Sequence, residues 1–96
     1  MGLKALLQSR RDEILRLAAK HGAYNVRIFG SVAREEDNET SDVDFLINSG
    51  PNCTPFFPGG LLVDLEKLLG RRVDIVTEKG LHWYIRDRVL EEAIPL

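Results

Sequence analysis

Leu3, Leu6, Leu7, Ile14, Leu17 and Ala18 recur at spacings of three and four with charged residues between them. That pattern predicts one amphipathic helix over residues 3–21, with Gly22 as its C-cap. Tyr24, Val26 and Ile28 then alternate with Asn25, Arg27 and Phe29, the two-residue period of a strand over 24–29 with at least one buried face, ended by Gly30. A hydroxyl residue after a glycine, in Ser31-Val32-Ala33-Arg34, predicts the start of a short helix. Residues 35–40 hold nothing a core would take and read as a surface loop. Residues 42–47 (DVDFLI) form the second predicted strand. Three of the four prolines and three of the eight glycines fall in residues 48–60, which excludes regular structure there. Phe56 and Phe57 in that stretch need cover, from the core or from a partner. Leu61, Leu62, Leu65, Leu68 and Leu69 return to helical spacing up to Gly70, residues 72–77 (RVDIVT) read as the third strand, and Leu81, Tyr84, Ile85, Val89, Leu90 and Ala93 mark a last helix that stops before Pro95. The predicted order is α-β-α-β-α-β-α, an α+β fold with a small mixed sheet of about three strands and flanking helices.

Length and composition narrow the picture. A chain of 96 residues, 44% hydrophobic and 29% charged, fits a single globular domain over residues 1–96 rather than a disordered tail. A net charge of −2 lacks the basic excess that tethers a protein to a nucleic-acid backbone, so no direct nucleic-acid binding is expected. Arg10 and Arg11 lie among Asp12, Glu13 and Arg16 and read as a solvated helix face. The lone Cys53 excludes an internal disulfide and fits a reducing cytoplasm. The apolar stretch at the N-terminus is too short for a signal peptide or a membrane span, and Leu6 stands where a myristoylation signal needs Ser or Thr. His21, near a helix end, reads as a cap rather than a ligand, and neither His82 nor Cys53 has a metal-binding companion at suitable spacing.

The chemistry lies in three carboxylates and one turn. On a strand, residues two apart share a side, so Asp42 and Asp44 project together while Val43, Phe45 and Ile47 line the apolar face. Like charges about 4–5 Å apart at an effective dielectric near 20 repel by about 3–4 kcal/mol, a large share of the ~5–15 kcal/mol that holds a small domain folded. Asp74, between Val73 and Ile75, repeats the anomaly. If the second and third strands pair, the three carboxylates converge, and hard oxygen donors suit Mg²⁺, with two ions able to clamp the attacking and leaving oxygens of a phosphoryl transfer. Gly30 lets the chain approach a phosphate closely, and Ser31 offers N–H groups and a hydroxyl at a helix start. Arg34, one turn on, either holds a phosphate or pairs with Asp37 or Asp42. Asp-x-Asp alone arises by chance roughly 0.3 times in a chain this long, but with Gly-Ser at one fixed distance that falls to roughly 0.002.

Gly30-Ser31, ten intervening residues, Asp42-Val43-Asp44 and a later-strand Asp74 resemble the signature of polymerase β-type nucleotidyltransferases, specifically the minimal group. The likeness runs through "GSVAR", "SDVDFLI", "LEKLLGRRVDIVT" and "IRDRVLEEAIPL". It implies the nucleotidyltransferase fold, with Ser31 on the nucleotide's terminal phosphates, Asp42 and Asp44 as Mg²⁺ ligands, and Asp74 completing the metal site and helping to activate the acceptor hydroxyl. It also implies ATP as donor, AMP as the transferred group, and an antitoxin that adenylylates a tyrosine of a HEPN ribonuclease toxin and assembles with it. Two other readings stay open: the same chemistry on a small molecule or a nucleic-acid end, and a non-catalytic antitoxin that acts by occlusion. The chain departs from many relatives at Glu35, where they carry glycine, which adds an anion beside the proposed triphosphate site.

Overall fold

The computed structural model describes residues 2–38, 40–51, 53 and 56–96. A four-stranded mixed sheet of order β3-β2-β1-β4 is built from β1 (Ala23–Phe29), β2 (Val43–Ser49), β3 (Val73–Thr77) and β4 (Ile94–Pro95). Strand β2 pairs antiparallel with β1 and parallel with β3. Its Val43, Phe45, Leu46 and Ile47 are all fully buried. The helices are α1 (Leu3–Ser9), α2 (Arg11–Lys20), α3 (Gly30–Ala33), α4 (Gly59–Leu69) and α5 (Trp83–Glu92), with a 3₁₀ turn at Glu78–Gly80. Glu39 in the predicted loop, and Asn52, Thr54 and Pro55 in the irregular stretch, lie outside the described residues.

Besides the ends of the stretch expected to be irregular, where Asn48 and Ser49 extend β2 and Gly59 and Gly60 open α4, four details differ from the sequence reading. The sheet has four strands, not three: Ile94 and Pro95 pair with Ile28 and Arg27. A two-residue strand shows no period, and Pro95 is tolerated because it sits on an edge. The helix expected over residues 3–21 breaks at Arg10, which has φ −105° and ψ 15°. The Ser9 hydroxyl donates to the Leu6 carbonyl at 2.7 Å, a back-bond of the kind that bends helices. Leu3 and Leu7 of α1 and Ile14 and Ala18 of α2 thereby reach the same core. Third, Tyr24 does not face inward. Tyr24 pairs with Asn48 and Arg27 with Leu46, which leaves one extra residue on β1, and Asn25 takes φ 53°. This bulge turns Ala23, Val26 and Ile28 inward and leaves Tyr24 exposed. Fourth, the last helix begins at Trp83, beyond Leu81.

The main core gathers α1, α2, α4 and one face of the sheet, and Phe57 packs against it. Phe56, Trp83 and Tyr84 are exposed, so the two adjacent phenylalanines have opposite fates. His21 caps α2 and its Nε2 lies 2.7 Å from an Asp64 carboxylate oxygen on α4. On the other side, the side chains of Arg27, Asn48 and Glu78 form a network, with Asn48 donating to Glu78 at 2.8 Å and Arg27 to Asn48 at 2.6 Å. Arg86 donates to the Glu78 carbonyl at 3.0 Å, which ties α5 to the sheet. Among the described residues, no helix is long and apolar enough to cross a membrane.

Candidate active site

The parallel register pairs Asp44 with Asp74 and Val43 with Val73, so the carboxylates of β2 and β3 leave the same face of the sheet. Asp42 precedes β2 by one residue and is exposed. It follows a turn in which Asn38 accepts from Thr40 N–H at 2.9 Å and Arg71 donates to the Ser41 carbonyl at 3.0 Å. Val43 N–H donates to the Arg72 carbonyl at 3.0 Å, and the Glu66 carboxylate accepts from Val73 N–H at 3.1 Å. The starts of both strands are held, and the positions of the three aspartates with them.

Asp44 is half-buried, and burial pushes its carboxyl up to about 6, helped by the charges of Asp74, Asp42 and Glu92 and opposed by Arg34. Desolvation and crowded anions both disfavour the ionised form. Among the described residues no group of three or more Asp, Glu, His or Cys side chains already stands in a metal-holding arrangement. The donor chemistry nevertheless fits a hard divalent cation: three carboxylates near the start of two adjacent strands, the central one short of positive charge.

Phe29 at the end of β1 is the register partner of Asp44, which brings the following turn over that carboxylate. Gly30 has φ +74°, and a Cβ there would collide with the Asp44 carboxylate. Both the backbone and the close approach therefore require glycine. Ser31 lies in the first turn of the four-residue α3. That helix closes with a Schellman motif, in which Glu36 N–H donates to the Ser31 carbonyl at 2.8 Å and Glu35 N–H to the Val32 carbonyl at 3.1 Å. Glu35 occupies the left-handed position, φ 59°, where glycine is the favoured residue.

Arg34 pairs with neither Asp37 nor Asp42. Its guanidinium donates to Glu36 at 2.9 Å and to Glu92, and these two acceptors hold it above its ordinary range. Asp37 instead accepts from Leu3 N–H at 3.2 Å. Glu92, unremarkable in the sequence run Glu91-Glu92-Ala93, also lies 3.4 Å from Gly30 N–H. With Arg88 it lines an open cavity of about 590 Å³ bounded by Phe29, Gly30, Arg34 and Ile85. No spacing rule singles out either residue, because the sheet and α5 bring them to Gly30 only in the folded chain.

Residues 11–96 match the nucleotidyltransferase domain family. The chain belongs to that family. Among its relatives, "Putative protein adenylyltransferase MJ0435" of Methanocaldococcus jannaschii is 39% identical over 84 residues, covering 88% of this chain and 90% of that one. "Protein adenylyltransferase MntA" of Thermococcus cleftensis is 34% identical over 94 residues, covering 96% and 90%. A solved structure described as a "putative minimal nucleotidyltransferase" superposes with a TM-score of 0.87 at 49% identity, over 100% of this chain and 97% of the other. A toxin-antitoxin crystal structure with AMP-PNP superposes at 0.74 with 17% identity, a likeness of fold. This nucleotidyltransferase therefore has the expected fold, with one strand more than its sequence suggested.

Proposed function

We propose that this nucleotidyltransferase is an antitoxin that transfers AMP from ATP to a tyrosine of a HEPN ribonuclease toxin, acting as one domain over residues 1–96. The observation that carries the reading is the Asp44–Asp74 register beside the Gly30 turn. The names of its relatives, protein adenylyltransferases, favour a protein acceptor over a small molecule or a nucleic-acid end. Asp42, Asp44 and Asp74 would hold Mg²⁺, two ions in the family's arrangement, which neutralises charge on the phosphates and lowers the pKa of the attacking hydroxyl. Gly30 and Ser31 would receive the phosphate chain by backbone N–H groups and a hydroxyl, and Arg34 by its guanidinium.

The acceptor oxygen bonds to the α-phosphorus, the bond from that phosphorus to the bridging oxygen breaks, and pyrophosphate leaves. Asp74, exposed at the start of β3, takes the hydroxyl proton. A bulky anion on the toxin then blocks its RNA site. The two proteins form a hetero-oligomer in the cytoplasm.

Incubation with α-labelled ATP, Mg²⁺ and a HEPN ribonuclease toxin that binds this chain should label the toxin on tyrosine. An Asp42→Asn plus Asp44→Asn variant that labels it equally would refute the catalytic assignment. Unlabelled toxin that is still inhibited by the double variant would mean neutralisation by occlusion instead.

A further inference from the structure

Glu92 is the last residue of α5, a poor place for an anion because the helix's unpaired carbonyls crowd that end. What rewards it lies across the cleft: one carboxylate oxygen faces Gly30 N–H at 3.4 Å and the other bonds the Arg34 guanidinium. These are two of the groups assigned above to the nucleotide phosphates. The side chain is only 22% exposed, and its charge is felt at Asp44. Arg88, one turn earlier on α5, lines the same cavity and makes no ion pair among the described residues. The cavity thus carries two guanidinium groups and one internal carboxylate.

We propose that Glu92 is an internal stand-in for phosphate, holding Gly30 N–H and Arg34 until the triphosphate displaces it, with Arg88 joining Arg34 on the incoming anion. The proposal rests on the nucleotide-binding reading above. Physically, a carboxylate with one charge competes with a triphosphate carrying about four for the same donors, so the nucleotide wins, at an affinity reduced by the fraction of molecules in which Glu92 is engaged. The device tunes affinity by phosphate content: adenosine gains nothing from displacing Glu92, whereas ATP does.

The test is calorimetric titration of the full chain with ATP and Mg²⁺, and separately with adenosine. Glu92→Gln should bind ATP about twofold to fivefold more tightly than the wild type, the range expected from removing one partly exposed ion pair, and should bind adenosine as the wild type does. Arg88→Gln should weaken ATP binding. If the wild type binds ATP and Glu92→Gln binds it no better, the proposal fails while nucleotide binding stands. If neither protein binds ATP, the nucleotide-binding reading fails and takes the proposal with it. A measurement that needs no variant is the ¹³C resonance of the Glu92 carboxyl in the wild type. It should move to a solvent-exposed value on saturation with ATP, and an unmoved resonance overturns the proposal.

Discussion

Asp44 of β2 and Asp74 of β3 are register partners in a parallel pair, and Arg34, whose charge opposes the crowded anions at Asp44, is itself held by Glu36 and Glu92. The repulsion expected from the sequence is therefore left largely uncompensated within the chain. Burial first, and then the charges of Asp74, Asp42 and Glu92, raise the Asp44 carboxyl to about 6.

Neutralising that charge should stabilise the fold. Asp44→Asn should melt higher than the wild type in metal-free buffer, while Mg²⁺ at millimolar levels should raise the melting temperature of the wild type and leave the variant nearly unchanged. About 1 kcal/mol of relief corresponds to roughly 4–8 °C in a domain of this size. Differential scanning calorimetry with and without Mg²⁺ checks both, and a wild-type curve indifferent to Mg²⁺ would count against the metal site.

Gly30→Ala should destabilise and inactivate together. The alanine must adopt φ +74° and its methyl meets the Asp44 carboxylate, a cost of about 1–3 kcal/mol for the backbone alone. A carboxylate displaced by about 1 Å loses roughly a hundredfold in rate. Urea unfolding and single-turnover AMP transfer give the two numbers. An alanine variant with wild-type activity would show that the close approach of the turn to Asp44 does not matter to catalysis.

Glu35→Gly should have the opposite effect on stability. Glu35 sits in the left-handed position of a Schellman motif with φ 59°, and among the described residues its side chain, 72% exposed, pairs with Lys4 alone, at 3.9 Å. Relieving the strained backbone is expected to gain about 0.5–1 kcal/mol, less a part lost to the greater freedom of the unfolded glycine. The urea midpoint should rise with an unchanged slope.

The hydrogen bond from His21 holds the Asp64 carboxyl below its ordinary range, with the Lys20 charge adding to it. An unfolded aspartate titrates near about 3.9, so on acidification the unfolded chain takes up the proton first. The contribution is complete above that value and is lost as pH falls through the lower folded value. Asp64→Asn should flatten this part of the profile, measured as urea midpoints between pH 6 and pH 3. An equally steep decline in the variant would assign the acid sensitivity to other groups, such as Glu78, whose carboxyl is also lowered, first by Asn48.

Local rules reached as far as local causes extend. Leucine periodicity found α4 and its glycine cap, and Gly70 takes φ +65° at that end. The alternation of Val43, Phe45 and Ile47 identified the buried face of β2. Arg34 went to Glu36 and Glu92 rather than Asp37 or Asp42 because its reach depends on where α5 ends, more than fifty residues later. The bulge at Asn25 and the edge strand at Ile94 were hidden for a similar reason, since pairing with another segment creates them. Phe57 packs on the core and Phe56 is exposed, a choice made by the fold of the irregular stretch.

By itself, the sequence determined most of the segments that become helix or strand, that Asp42 and Asp44 are crowded, and that the chain turns at Gly30 and Ser31, because side-chain period and glycine's conformational freedom are properties of neighbouring residues. Only the tertiary structure decided that Asp74 stands beside Asp44, that the Gly30 turn lies over that carboxylate, and that Glu92 reaches Gly30 N–H and the Arg34 guanidinium. Those relations depend on strand register and on how α5 docks, and both are set by the packing of residues far apart along the chain.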